Sequence, residues 1–143
     1  MEKKLIDFQP DWEKLVDKGF ANYDSLTPDE RIWFNIEVLL SAVMNGGIIG
    51  HYCNYGAENN KETIEDLNSL GLEDISEILL QVNQLFPSGT PPKDGAERNE
   101  IISQWPEFEH DDLLEQLDHQ FSDRVADIES KLVDYILRTR LSS

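Results

Sequence analysis

Nine carboxylates and a single arginine lie between residues 106 and 129, which gives this stretch of 24 residues a net charge of −8. Carboxylates at that density attract basic protein surfaces and repel nucleic acid and membrane phosphates. Asp111, Glu115 and Asp118 recur at spacings of four and three residues, so they share one face of a helix. A second stripe follows from residue 123 onward. We predict a partner-binding acidic surface formed by Glu107, Glu109, Asp111, Asp112, Glu115, Asp118, Asp123, Asp127 and Asp134.

A solvated face that only keeps the protein soluble is the alternative to a partner-binding surface. Like charges one helical turn apart destabilise a helix by about 0.2–0.5 kcal/mol per pair, which argues against that alternative. DNA mimicry sets a density requirement, because a duplex carries one charge per roughly 1.7 Å whereas one acidic stripe carries about one per 5.4 Å turn. Mimicry therefore requires two acidic helices side by side or a homodimer.

The residues that commonly bind soft metals are His51, Cys53, His110 and His119, and none has the paired spacing of a zinc site. Asp111-Asp112 lacks the ligand loop of a calcium-binding EF-hand. The sequence contains no P-loop, no dinucleotide fingerprint and no nucleophile elbow. We predict no metal, no cofactor and no enzymatic activity.

Asn45-Gly46-Gly47 could line a small pocket together with His51 and Asn54, and a small-molecule binder or enzyme built there is the alternative function. A helix C-terminus followed by a tight turn explains both glycines without a ligand. It does not explain Asn54, so the pocket stays an open hypothesis.

The elements that position these residues are predicted to be helices joined by short turns. Thr27-Pro28-Asp29-Glu30 is a capping box with proline at the first helical position, and it begins a central helix buried on more than one side. The predicted segments are 11–21 with Asp11 as N-cap, the central helix ending at Asn45-Gly46-Gly47, 48–55, 61–70, 74–86, 97–104, a helix from 111 or 112, and 123–141.

These segments predict an all-α fold, a single compact domain of roughly six to eight helices with no sheet. Residues 1–143 form the domain, with N-terminal helices over 11–86, a loop over 87–95 and acidic C-terminal helices over 96–141. The inward side chains of the last two helices include Leu117, Phe121, Ile128, Leu132 and Ile136.

Composition agrees with a folded chain, because 39% of the 143 residues are hydrophobic despite a net charge of −17. The single cysteine cannot form an internal disulfide, so we expect a cytoplasmic protein. We expect no secretory signal, and the apolar runs are shorter than the roughly 18 residues of a membrane span. The acidity excludes direct nucleic-acid binding.

Several segments occur in the order and spacing typical of one bacterial protein family. They are 37–40 through Asn45-Gly46-Gly47, His51-Tyr52 with Asn54, 63–71, Leu85-Phe86-Pro87 and the apolar residues of the last two helices. With them the chain resembles, over roughly residues 11–138, a bacterial all-α family whose best-known member is a DNA-mimic protein.

The resemblance implies an all-helical domain that can form homodimers. In the characterised member, acidic residues occupy the DNA site of a transcription factor, so the expected partner is a basic, DNA-binding regulator. An immunity or antitoxin protein that neutralises a basic toxin fits the same residues. The chain departs from the family at Ile48 and Gly50, where members usually carry an aromatic residue and a glutamine.

Overall fold

The computed structural model describes residues 3–139 and Leu141, and within them the fold is all-α with no β-strand. Its seven helices are α1 (Gln9–Ala21), α2 (Pro28–Cys53), α3 (Asn60–Ser69), α4 (Glu73–Asn83), α5 (Gly95–Ser103), α6 (Asp111–Ser122) and α7 (Val125–Thr139). The predicted fold class is confirmed. The predicted domain also covers Met1, Glu2, Arg140, Ser142 and Ser143, which lie outside the described residues.

Helix α2 is the centre of the fold and packs against α1, α3, α5, α6 and α7. It begins with the predicted capping box: Thr27 Oγ1 accepts from the Glu30 backbone N–H at 3.1 Å, and Glu30 Oε1 accepts from the Thr27 N–H at 2.9 Å. Trp33 and Phe34 are buried on it, which confirms a central helix covered on several sides.

The backbone of α2 breaks at the two glycines where the sequence predicted a helix end. Gly46 has φ −146° and Gly47 has φ +73°, neither of which is helical. The helix then resumes and ends at Cys53. We call residues 28–45 the first arm of α2 and residues 48–53 the second arm.

Other predicted boundaries are close, with one incorrect cap. Helix α1 begins at Gln9 with Phe8 as N-cap, so Asp11 lies in the first turn and does not cap the helix. Helix α5 begins earlier than predicted because Asp94 Oδ1 accepts from the Ala96 N–H at 2.8 Å. Gly71, with φ +74°, ends α3 as predicted, and the Leu72 N–H bonds the Leu67 carbonyl at 2.9 Å.

One hydrophobic cluster extends from Phe8 to Ile136. Leu117 and Phe121 of α6 and Ile128 and Leu132 of α7 are fully buried in it, as their spacing predicted. The apolar faces of the two acidic helices therefore lie against the core.

Contrary to the expectation from apolar runs, one helix of the described chain is long and apolar enough to cross a membrane by length and composition. This is α2, with 26 residues and a mean hydropathy of 1.5 over its most apolar window. Half of that window is buried inside the protein. The Gly46-Gly47 break and the packing on five neighbouring helices are those of a core helix.

Candidate functional site

The first part of the predicted acidic surface is exposed as a block. Glu107 and Glu109 lie in the turn before α6, and Asp111, Asp112 and Glu115 follow on its first two turns, all exposed. The exposed His119 lies beside them, with its Nε2 4.0 Å from Glu115 Oε1. We call these five carboxylates the α6 acidic block.

Asp118 has a different position from the α6 acidic block. Its Oδ1 accepts the backbone N–H of Ile48 at 2.5 Å, across 70 residues of sequence. A side chain three residues before Phe121 lies only about 60° from it around the helix, so Asp118 borders the buried face. The Gly46-Gly47 break leaves the first N–H groups of the second arm without helical partners, and the Asp118 carboxylate caps that helix start.

The later carboxylates are exposed but partly neutralised. Arg124 Nη1 donates to Asp127 at 2.5 Å and Arg124 Nε donates to Asp74 of α4 at 2.6 Å. The Arg124 guanidinium lowers the pKa of the Asp74 carboxyl, and Asp74 in turn raises the pKa of Arg124. Asp134 shares a shallow depression with Lys131 and Arg138. The uncompensated negative charge is therefore densest in the α6 acidic block.

The predicted Asn-Gly-Gly pocket is divided between three environments. Gly46 faces open space, whereas an added Cβ on Gly47 would lie 3.1 Å from Asp118 Oδ2. Asn45 and Asn54 line a groove of about 580 Å³ between α1 and the first arm of α2, which we call the α1–α2 groove. His51 is buried in the interior.

The buried His51 belongs to a polar network of amides. Its Nε2 lies 3.0 Å from Asn60 Oδ1, so Nε2 carries the proton, and Nδ1 has no hydrogen-bond partner among the described residues. Asn60 Nδ2 donates to Asn83 Oδ1 at 2.9 Å, and the Tyr52 hydroxyl donates to the same oxygen at 2.7 Å. Burial lowers the pKa of His51 to about 4, so the imidazole is neutral and holds the second arm against α3 and α4.

Glu37 is a feature that sequence reasoning passed over. It lies in the α1–α2 groove, and Trp33 Nε1 donates to its Oε1 at 2.9 Å. Burial, with a smaller contribution from Glu129 of α7, raises the pKa of Glu37 to about 7. The signal was present, because Glu37 is the one carboxylate between Ile32 and Leu40 in an apolar run.

Arg98 of α5 is a second residue that the sequence did not single out. Its side chain is fully buried and donates to the carbonyls of Tyr52 and Asn54 at 2.9 and 3.0 Å, and to those of Pro92 and Lys93 at 2.9 and 2.7 Å. It joins the end of α2 to the loop before α5. A single arginine in a polar helix does not indicate, from sequence alone, that its side chain is buried and joins two segments.

Within residues 3–139 and Leu141, no group of three or more His, Cys, Asp or Glu side chains is arranged to hold a metal ion. Cys53 is exposed, and partial burial of its thiol raises the pKa.

An all-α fold around a broken central helix, with a dense block of exposed carboxylates, defines an acidic helical protein. Residues 24–140 match the family model described as DMP19-like protein, so the chain belongs to the DMP19-like protein family, a family of DNA-mimic proteins. No curated protein and no solved structure matches the chain.

The structure gives a physical reason for a glycine at position 50, where the resemblance led us to expect a glutamine. An added Cβ there would lie 3.0 Å from the Ala42 carbonyl oxygen, across the break in α2. A side chain at this position would crowd that oxygen, so the backbone there would have to shift by a few tenths of an ångström. Ile48 is fully buried, so it serves the core.

Proposed function

We propose that this protein is a non-enzymatic interaction module whose α6 acidic block binds a basic protein partner, a DNA-binding protein whose nucleic-acid site it occupies. Membership of a DNA-mimic family supports the class of partner. We choose the α6 acidic block as the binding surface because its carboxylates, within residues 107–115, are exposed and nearly uncompensated. We propose a cytoplasmic location from the lone cysteine.

Charge density shapes the proposal further. Five carboxylates within nine residues exceed the density of a single helical stripe, because they occupy a turn as well as a helix face. Extending the array to the length of a DNA site still requires the α7 carboxylates or a second copy of the chain. Because Asp127 of α7 is paired with Arg124, we propose that a second copy extends the array and that the protein acts as a homodimer, which sedimentation equilibrium would test.

The experiment compares wild type with two matched variants in capture from a cell extract at low salt. The test variant is Asp111→Asn, Asp112→Asn and Glu115→Gln. The control removes the same charge from other exposed positions through Glu13→Gln, Asp17→Asn and Asp24→Asn.

The captured protein must bind DNA when isolated, and duplex DNA must displace it from this protein. We expect the test variant to weaken capture at least about tenfold and the control to leave it nearly unchanged. Equal loss in both variants would mean that net charge alone is recognised. A captured toxin that does not bind DNA would favour the immunity-type function instead.

A further inference from the structure

The α1–α2 groove is chemically distinct from the α6 acidic block. One wall is apolar and is formed by Trp12, Val16 and Phe20 of α1. The other wall is polar and presents Glu37, Asn45 and Asn54. Its volume of about 580 Å³ lies within the range of small-molecule sites. Nothing in the proposed DNA mimicry uses this groove.

Glu37 is a partly buried carboxylate that has no ion pair among the described residues. Its Oε1 accepts the hydrogen bond from Trp33, and the residue lines the groove. A carboxylate in such a place costs desolvation energy unless a cation or hydrogen-bond donors compensate it. Glu129 of α7 adds a second negative charge nearby. The position therefore favours binding of a cation.

The two asparagines add acceptors of the same kind. Asn45 Nδ2 donates to the Ser41 carbonyl at 2.9 Å, and Asn54 Nδ2 donates to the Gly50 carbonyl at 2.5 Å. Because both amide nitrogens are engaged with the backbone, each side chain has its oxygen left to offer a ligand. Asn45 lies eight residues after Glu37, about 12 Å along the helix axis, so its oxygen is offered to a different part of a ligand from the Glu37 carboxylate.

The opposite wall supplies aromatic surface. The centroid of the Trp12 ring lies 6.0 Å from that of Trp33 and 6.2 Å from that of Phe34. These contacts with the core hold the Trp12 ring in place. The Phe20 side chain is 52% exposed at the outer end of this wall. Aromatic faces attract organic cations and also bury their apolar parts.

We propose that the α1–α2 groove binds a small organic cation with an apolar body, of the alkylammonium or amidinium–guanidinium class. The cationic nitrogen bonds Glu37, and the apolar body packs on Trp12 and Phe20. The net charge of −17 raises the local concentration of any such cation.

The test uses phenethylammonium and benzamidinium as probes, with phenethyl alcohol and benzamide as uncharged analogues. Two-dimensional NMR of the full chain follows the indole N–H of Trp33 and the side-chain amides of Asn45 and Asn54. We expect saturable shifts at these groups with both cations and no saturable shift with the uncharged analogues. A titration with N-acetyl-arginine amide distinguishes a free amine from a peptide side chain as the natural source, since only a groove that admits peptide will bind it.

Two variants of equal net charge separate the groove from general electrostatics. Glu37→Gln should weaken cation binding about tenfold or more, because it removes a charge-assisted hydrogen bond. Glu115→Gln, in the α6 acidic block, should leave the affinity unchanged. Equal affinities for all three proteins, or equal binding of cation and uncharged analogue, would overturn the proposal.

The pH dependence provides a second readout. The cation binds the ionised form of Glu37, so affinity should rise between about pH 6 and 8 in wild type and stay flat in Glu37→Gln. The charge of Glu129 also raises the pKa of Glu37. Glu129→Gln should therefore shift the rise in affinity to lower pH without abolishing it. A rise that persists in Glu37→Gln would exclude this carboxylate as the cation's partner.

Discussion

The carboxylate of Asp118 on α6 accepts a hydrogen bond from the backbone N–H of Ile48 at 2.5 Å, at the point where α2 resumes after its break. Gly47 makes this approach possible, because its φ of +73° is a left-handed conformation and it has no Cβ to crowd the carboxylate. One acidic side chain thus fixes α6 to the central helix.

Replacing Asp118 should therefore destabilise the fold in a way that replacing its exposed neighbours does not. We expect Asp118→Ala to lower the free energy of unfolding by about 1–2 kcal/mol, the usual cost of losing a helix cap. Asp118→Asn keeps an acceptor oxygen and should lose less. Urea denaturation measures both, with Glu115→Gln as the exposed control. A loss no larger than the control's would mean that the cap contributes little.

Glu37 should make the protein less stable as the pH rises toward neutrality. Its pKa is about 7 in the folded state and 4.5 ordinarily, so between these values the folded chain binds more protons than the unfolded chain. The contribution is greatest below about pH 4.5 and is lost as the pH passes about 7. Glu37→Gln should be more stable than wild type at pH 8, by on the order of 1–3 kcal/mol, and nearly equal to it at pH 4.5. Thermal unfolding across pH tests this. A constant difference between the two proteins would contradict the assigned pKa.

His51 should give a pH dependence of the opposite sign. Its pKa falls from 6.5 to about 4 on burial, so the unfolded chain binds more protons in that interval. Stability is complete above about pH 6.5 and is lost as the pH falls toward 4. His51→Gln should remove this slope while retaining an N–H donor toward Asn60. The double variant with Glu37→Gln should show neither slope, and calorimetry of the four proteins separates the two groups.

Arg98 should be among the most sensitive positions in the chain. Arg98→Met leaves four carbonyls without their donor, and we expect a loss of about 2–4 kcal/mol. Arg98→Lys keeps the charge but cannot reach four acceptors with one ammonium, so it should recover only part of that loss. Arg138→Met removes an exposed arginine as the control. Hydrogen exchange at Ala96 and at position 98, whose N–H groups bond Asp94, should accelerate in Arg98→Met and stay unchanged in the control.

Local patterns were sufficient for most of the fold. The Thr27 capping box, the Gly71 helix end and the apolar spacing of α6 and α7 depend on neighbours within a few residues, and each was predicted correctly. The Gly46-Gly47 signal was read correctly as a break, but whether a chain turns away or resumes its helix depends on what caps the second arm. That cap is Asp118, and no local pattern reveals a partner 70 residues away.

The candidate site was less predictable for the same reason. Sequence spacing placed Asp118 with Glu115 on one acidic stripe, although it lies at the border of the buried face. His51 and Asn45 are six residues apart, yet one is inside the core and the other on the groove, because the break at Gly46-Gly47 changes the direction of the helix faces. The α1–α2 groove and the polar network around His51 are formed by tertiary packing, so spacing along the sequence does not predict them.

Two of the four hydrogen bonds of Arg98 join α5 to the end of α2 in the first half of the chain, and the other two hold the loop that precedes α5. A chain cut near Ser88 would therefore yield two pieces, each containing half of this attachment and part of the shared apolar cluster. The second piece would contain the entire α6 acidic block. Reassembly of the two pieces on mixing would turn the molecule into a two-part reporter, in which recovery of the fold and display of the acidic block occur together.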